Sequence, residues 1–137
     1  MLNKKGKEFH QFDLKGKTIL IADDDYMVRF YYQEAYSDTG VMLLVAEDGK
    51  EVVELFKSHP EIDLVLMDAR MPEQSGYEAT KHILSINSKA VILMQSASVL
   101  PEDRELALSI GCIDYLEKPV NPEMLIGLAV TSKPVEF

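Results

Sequence analysis

Residues 63–76, DLVLMDARMPEQSG, decide how this chain is read. The apolar run 64–67 has strand length and delivers Asp68 at its end, and Met71-Pro72 follows shortly after. A residue preceding proline is driven out of the helical region, so an open loop separates this strand from what comes next. Ser75, with Glu78 three residues on, has the spacing of a capping box and opens a helix. Asp68 therefore stands at the tip of a buried strand, facing a loop. An ionised carboxylate taken out of water requires a paired cation or a metal, so its partners must come from elsewhere in the chain.

Similar runs occur at 18–22 (TILIA), 42–46 (MLLVA), 90–94 (AVILM) and 113–117 (IDYLE). Between them apolar residues recur at helical spacing: Val28, Tyr31, Tyr32, Ala35 and Tyr36; Val52, Val53 and Phe56; Tyr77, Thr80, Ile83 and Leu84; Leu106, Ala107 and Ile110. Asn121-Pro122 caps a last short helix through Met124, Leu125 and Leu128. Thr39-Gly40 is expected to close the first helix and Gly111 the fourth. Near-continuous apolar strands alternating with helices predict an α/β domain whose parallel sheet is covered on both faces. We expect one domain over 17–131, preceded by a linker or leader at 1–16 and followed by a tail at 132–137.

The 137 residues carry a formal net charge of -9, which argues against a nucleic-acid footprint, since that calls for a basic face. Lys4, Lys5, Lys7, Lys15 and Lys17 read as a solvated N-terminal stretch. The single cysteine, Cys112, excludes an internal disulfide and reads as a small buried hydrophobe. His10, His59 and His82 are expected on the surface, outside the site. No apolar stretch has the length of a signal core or membrane span, so the expectation is a cytoplasmic domain without membrane contact.

In open α/β sheets the ligand site lies beyond the carboxyl ends of the strands, where the winding reverses. This reading gathers Asp23, Asp24, Asp68, Ser96 and Lys118 there. Three carboxylates in one place raise one another's pKa unless a cation sits among them. Magnesium suits them, because it takes one or two carboxylates, keeps waters and shares oxygens with a phosphate. A lysine and a hydroxyl opposite the metal would hold the remaining phosphate oxygens. Asp68 is then the nucleophile, and the product an aspartyl phosphate.

Five motifs in order, ILIADDD (19–25), AEDG (46–49), LVLMDARMP (64–72) with Gly76, Ser96-Ala97 and YLEKP (115–119), resemble the receiver domain of two-component response regulators, the family of the chemotaxis regulator. The resemblance runs from Thr18 to about residue 130. It implies a flavodoxin-like, doubly wound sheet of five strands in the order 2-1-3-4-5 with five helices. It further implies that Asp68 is the phosphoacceptor, charged by a phosphohistidine on a histidine kinase or histidine phosphotransfer protein. Asp23 and Asp24 would bind Mg2+, for which Mn2+ can substitute, with Asp68 and the backbone carbonyl of Arg70 as further ligands. Lys118 would bridge Asp68 and later the phosphate, beside a cis-proline turn at Pro119. Ser96 would move to the phosphate, the Ala97 backbone would help hold it, and Tyr115 would swing inward. Pro72 and Gly76 would set the loop. The surface of the fourth helix, fifth strand and fifth helix would change, and a dimer through that face is among the assemblies the resemblance admits. Such a domain is a regulatory phosphoacceptor that catalyses only its own phosphorylation and slow dephosphorylation. In this chain Ser75 replaces an acidic residue before the glycine, Asp25 would begin the first helix, and Arg70 and Ser98 fall where family members vary and tune phosphate lifetime.

Two other readings compete. A dehalogenase-type phosphatase uses a strand-end Asp-x-Asp, but that family has threonine two residues on, where Met27 stands here. A degenerate receiver would bind partners without phosphorylation, which the intact acids and lysine disfavour. The lead-in LKGK (14–17) and GYEAT (76–80) look like receivers at the end of hybrid sensor histidine kinases, and a free-standing regulator is the alternative.

Overall fold

In the computed structural model, which describes residues 14–131, the five apolar runs form strands β1 (Thr18–Ala22), β2 (Met42–Ala46), β3 (Leu64–Asp68), β4 (Ile92–Ser96) and β5 (Asp114–Glu117). Helices α1 (Tyr26–Ala35), α2 (Gly49–Ser58), α3 (Gly76–Ile86), α4 (Pro101–Ile110) and α5 (Pro122–Thr131) alternate with them. All pairings are parallel and the order is β2-β1-β3-β4-β5, the expected doubly wound sheet.

Strand periodicity of two divides the core. Leu20, Ala22, Val65, Met67, Ile92 and Met94 point to one face, against Val52 and Phe56 of α2, Ala79 and Ile83 of α3 and Ala107 of α4. Ile19, Ile21, Leu64, Leu66 and Leu93 point to the other, against Tyr32 and Tyr36 of α1 and Leu125 of α5. β1, β3 and β4 are buried throughout because both faces are covered, which is why their sequences read as unbroken apolar runs.

Helix starts follow the caps. Asp25 accepts from the Met27 N–H at 2.9 Å, Asp48 from Glu51 at 2.7 Å, and Ser75 with Glu78 forms the capping box. Gly111, at φ 117°, ends α4.

Several expectations are corrected. Tyr31, Leu106 and Met124 are exposed, because each buried helix stripe is narrower than the apolar pattern and centres on Tyr32 and Tyr36, Ala107, and Leu125. α1 ends at Ala35, four residues before Thr39; the Thr39 hydroxyl donates to the Tyr36 carbonyl at 2.8 Å, and Gly40, at φ 84°, turns the chain into β2. Leu14, inside the stretch expected to be a linker, is fully buried and its N–H donates to the Thr39 carbonyl at 2.8 Å. Lys4, Lys5, Lys7, His10 and the tail at 132–137 lie outside the described residues. No helix among the described residues is long and apolar enough to cross a membrane.

The loop after β3 is held by close backbone approach. A Cβ on Gly76 would lie 2.1 Å from the Asp68 carbonyl oxygen, and one on Gly49 would lie 1.9 Å from the Gln74 carbonyl oxygen. The Gly49 N–H also donates to the Pro72 carbonyl at 3.3 Å. Gly76→Ala must push α3 away from the strand end that presents Asp68. We expect it to cost about 2 kcal/mol or more in urea unfolding, in the range of overpacking a tight site; an unchanged midpoint would show that the loop yields freely.

Candidate functional site

Register builds the site. Ala22 is level with Met67, so Asp23 is level with Asp68, and Asp68 is itself level with Gln95. Alternation puts the three side chains on the α1 and α5 side, at the carboxyl ends of three adjacent strands about 4.8 Å apart. Carboxylate oxygens of Asp23, Asp24 and Asp68 lie within 4.8 Å of one another. Asp23 and Asp68 are buried, at 0% and 3% exposure, and Asp24 faces solvent. Lys118 enters from the end of β5, fixed by its N–H to the Ser96 carbonyl at 2.9 Å. Its ammonium lies 3.0 Å from Asp23 Oδ2 and 3.4 Å from Asp68 Oδ2.

Burial, then the neighbouring Asp23, pushes the Asp68 carboxyl up to about 6, against the opposing pull of Lys118 and of the Arg70 N–H, which donates to Asp68 Oδ1 at 3.4 Å. Burial works to lower the Lys118 pKa, but Asp23 and then Asp68 more than offset it, so the ammonium is held above its ordinary value. One ammonium among three carboxylates leaves the pocket negative. The donor set, oxygens only and one of them open to solvent, fits a hard divalent cation such as Mg2+.

The remaining expected residues distribute as follows. Ser96 is buried at the end of β4 and Ala97 is exposed just beyond it, both at this end of the sheet. The Lys118-Pro119 peptide is cis. The Pro72 carbonyl receives Gln74 at 2.7 Å, and Glu73 takes φ 71° in that turn. Tyr115 differs from expectation: it already lies inside, at 1% exposure, in the core with α2, α3 and α4 rather than among the carboxylates. The Tyr77 hydroxyl bonds to that of Tyr115 at 3.2 Å, so an inward swing is not the movement this conformation has left to make. Cys112 is buried, which pushes its thiol up to about 11.

Sequence reasoning missed three residues around Asp23. Gln95 is fully buried and its Nε2 donates to Asp23 Oδ2 at 3.2 Å. The Tyr32 hydroxyl donates to Gln95 Oε1 at 3.1 Å, whereas helical spacing assigns Tyr32 only a packing role. Arg29 Nη1 donates to the Asp23 carbonyl at 2.8 Å and its other nitrogen lies 3.6 Å from Glu47. The available signal was Gln95 itself: an amide inside an otherwise apolar buried strand must find partners.

The family described as response regulator receiver domain matches residues 19–129. The chain belongs to that family. Curated relatives include hybrid signal transduction histidine kinase B of Dictyostelium discoideum, 32% identical over 119 residues (77% of this chain, 6% of that protein). Another is the transcriptional regulatory protein CpxR of Escherichia coli K12, 33% identical over 109 residues (80% of this chain, 46% of that protein). The chain thus spans less than half of either relative. Among solved structures, the receiver domain of Saccharomyces cerevisiae Ssk1, crystallised with the histidine phosphotransfer protein Ypd1, superposes at TM-score 0.77 with 26% identity, covering 88% of this chain and 94% of that one. CheY of Borrelia burgdorferi, from its complex with CheX, BeF3 and magnesium, gives a TM-score of 0.75 at 25% identity, covering 83% of this chain and 88% of that one.

The raised Asp68 pKa sets the sign of a pH effect. The folded receiver domain binds this proton more tightly than the unfolded chain, so the stability it gives is present below about 4 and lost as pH rises through about 6. Without metal, Asp68→Asn is expected to raise the melting temperature at pH 7 and to flatten the decline between those pH values, the gain being at most about 3 kcal/mol. Thermal unfolding in chelator checks this, and a lower melting temperature for Asp68→Asn at pH 7 contradicts it.

Proposed function

We propose that this receiver domain accepts a phosphoryl group onto Asp68 from a phosphohistidine of a histidine kinase or histidine phosphotransfer protein. The observation that carries this reading is the meeting of three carboxylates within 4.8 Å with Lys118 between Asp23 and Asp68. An Asp68 oxygen attacks phosphorus, the P–N bond breaks, and the imidazole nitrogen keeps the electron pair. Asp23, Asp24, Asp68 and the Arg70 carbonyl would hold Mg2+, or Mn2+, which when bound offsets the charge on the phosphoryl oxygens. Lys118 turns from the carboxylates to a phosphoryl oxygen, and the Ser96 hydroxyl and Ala97 N–H take others. The gathered donors pull the β4–α4 segment toward the phosphate. A changed α4, β5 and α5 surface is then the output, through which a dimer can also form.

The donor docks over α1. Tyr26, Met27, Phe30 and Tyr31 are exposed there, and Met27, Val28 and Tyr31 line a hollow with Lys118 and Pro119 at the mouth of the site. An apolar collar of this kind suits a partner helix that carries the phosphohistidine.

Two donors test the reading together. With Mg2+ and a small acyl phosphate, the unaltered chain should gain one phosphoryl mass and Asp68→Asn none. With a phosphohistidine protein as donor, Phe30→Asp should slow labelling by about tenfold or more while the small donor still works normally. An unlabelled wild-type chain would favour a degenerate binding module. Phosphomonoester turnover that survives Asp68→Asn but not Asp23→Asn would favour the phosphatase reading.

A further inference from the structure

The Tyr32–Gln95 pair has no part in the phosphoryl transfer above, yet it is buried and fully engaged. The Val120 N–H donates to the Tyr32 hydroxyl at 2.8 Å, that hydroxyl donates to Gln95 Oε1 at 3.1 Å, and Gln95 Nε2 donates to Asp23 Oδ2 at 3.2 Å. The chemistry of the ends fixes the direction of this chain of bonds. A backbone N–H can only donate and an ionised carboxylate can only accept, so the amide oxygen must face Tyr32 and the NH2 must face Asp23. The Val120 carbonyl, at 3.5 Å from the Tyr32 hydroxyl, is a longer and poorer acceptor for the tyrosine proton than Gln95.

Asp23 has further partners: Oδ1 accepts the Asp25 N–H at 2.9 Å, Oδ2 also accepts Lys118 at 3.0 Å, and the backbone carbonyl accepts Arg29 at 2.8 Å. Lys118 is shared with Asp68, so its hold on Asp23 changes with the state of Asp68. Among the described residues, Asp23 is the carboxylate to which Gln95 donates. Its far side is anchored to the turn between β5 and α5, the segment that leads from Lys118 into α5.

We propose that Gln95, oriented by Tyr32 and the Val120 N–H, is a positioning residue that keeps the Asp23 carboxylate preset for the divalent cation and couples cation binding to the turn at Val120. This rests on the reading of Asp23, Asp24 and Asp68 as a cation pocket. A carboxylate already fixed by a buried donor loses less rotational freedom on ligation, and partners outside the ligand shell commonly change metal affinity by about 10- to 100-fold. Tyr32 acts on Asp23 only through Gln95, so its removal can have no effect once Gln95 is gone.

The test is calorimetric titration of the metal-free chain with Mg2+, with thermal unfolding recorded alongside and the Val120 amide followed by 15N NMR. Gln95→Met, close in volume and without the amide, is expected to weaken the Mg2+ dissociation constant by about tenfold. Tyr32→Phe, which keeps the ring, should weaken it about threefold, and the double variant should be no weaker than Gln95→Met alone. The Val120 amide should shift on Mg2+ addition in the unaltered chain and shift less in Tyr32→Phe. Equal affinities in folded variants, with only the melting temperature lowered, would overturn the proposal, as would single effects that multiply in the double variant. If Gln95→Met fails to fold, Tyr32→Phe decides by the same criterion. A wild-type chain that binds no Mg2+ would overturn the pocket reading and this proposal together, whereas normal wild-type binding matched by both single variants overturns this proposal alone.

Discussion

A single ammonium, that of Lys118, lies between two buried carboxylates that would otherwise repel each other at the ends of β1 and β3. Removing water from Asp23 and Asp68 costs far more than the packing of a strand end returns, unless opposite charge comes with it. The lysine supplies part of that charge, and the proposed cation would supply the remainder. On the proposed function, a phosphoryl group at Asp68 would compete for the same ammonium and the same metal. The proposed switch would then follow from the electrostatics of the pocket.

The fold meets this requirement by position. Parallel strands bring their carboxyl ends to one edge, and β1, β3 and β4 set Asp23, Asp68 and Gln95 level across it. α1 lays Arg29 and Tyr32 against Asp23 and its supporting amide, while Gly49 and Gly76 let α2 and α3 approach the loop that carries Asp68 closely. On the opposite face Tyr115 is tied to Tyr77, so the aromatic residue on β5 belongs to the α3 and α4 side of the core, one layer from the acids.

Most of this was legible in the sequence, because the strands are buried on both faces and end in charge. Asp23, Asp24, Asp68 and Lys118 announce themselves as ionisable groups where an apolar run stops. The strand order came from resemblance to a family rather than from the residues. Gln95 was missed because it lies one residue past the apolar run 90–94 and carries no charge. Tyr32 was assigned wholly to packing because its ring does pack, and only coordinates show its hydroxyl turned toward Gln95. Tyr31, Leu106 and Met124 were placed inside by spacing alone. Helical periodicity gives a direction, but the width of the buried stripe depends on how closely the sheet approaches, which no local pattern encodes. Leu14 was lost in a polar stretch for want of periodic neighbours, although a lone leucine there closes the core beneath α1.

On this reading Asp23, Asp24, Asp68, Ser96 and Lys118 together form one receptor for a cation and a phosphoryl group. The most direct measurement is a crystal structure with magnesium and beryllofluoride. The expected result is a BeF3 group on an Asp68 oxygen, a metal at about 2.1 Å from oxygens of Asp23 or Asp24 and of Asp68, and the Lys118 ammonium on a fluorine. A beryllofluoride-free Asp68, or a metal bound without these carboxylates while Lys118 stays on Asp23, would contradict it.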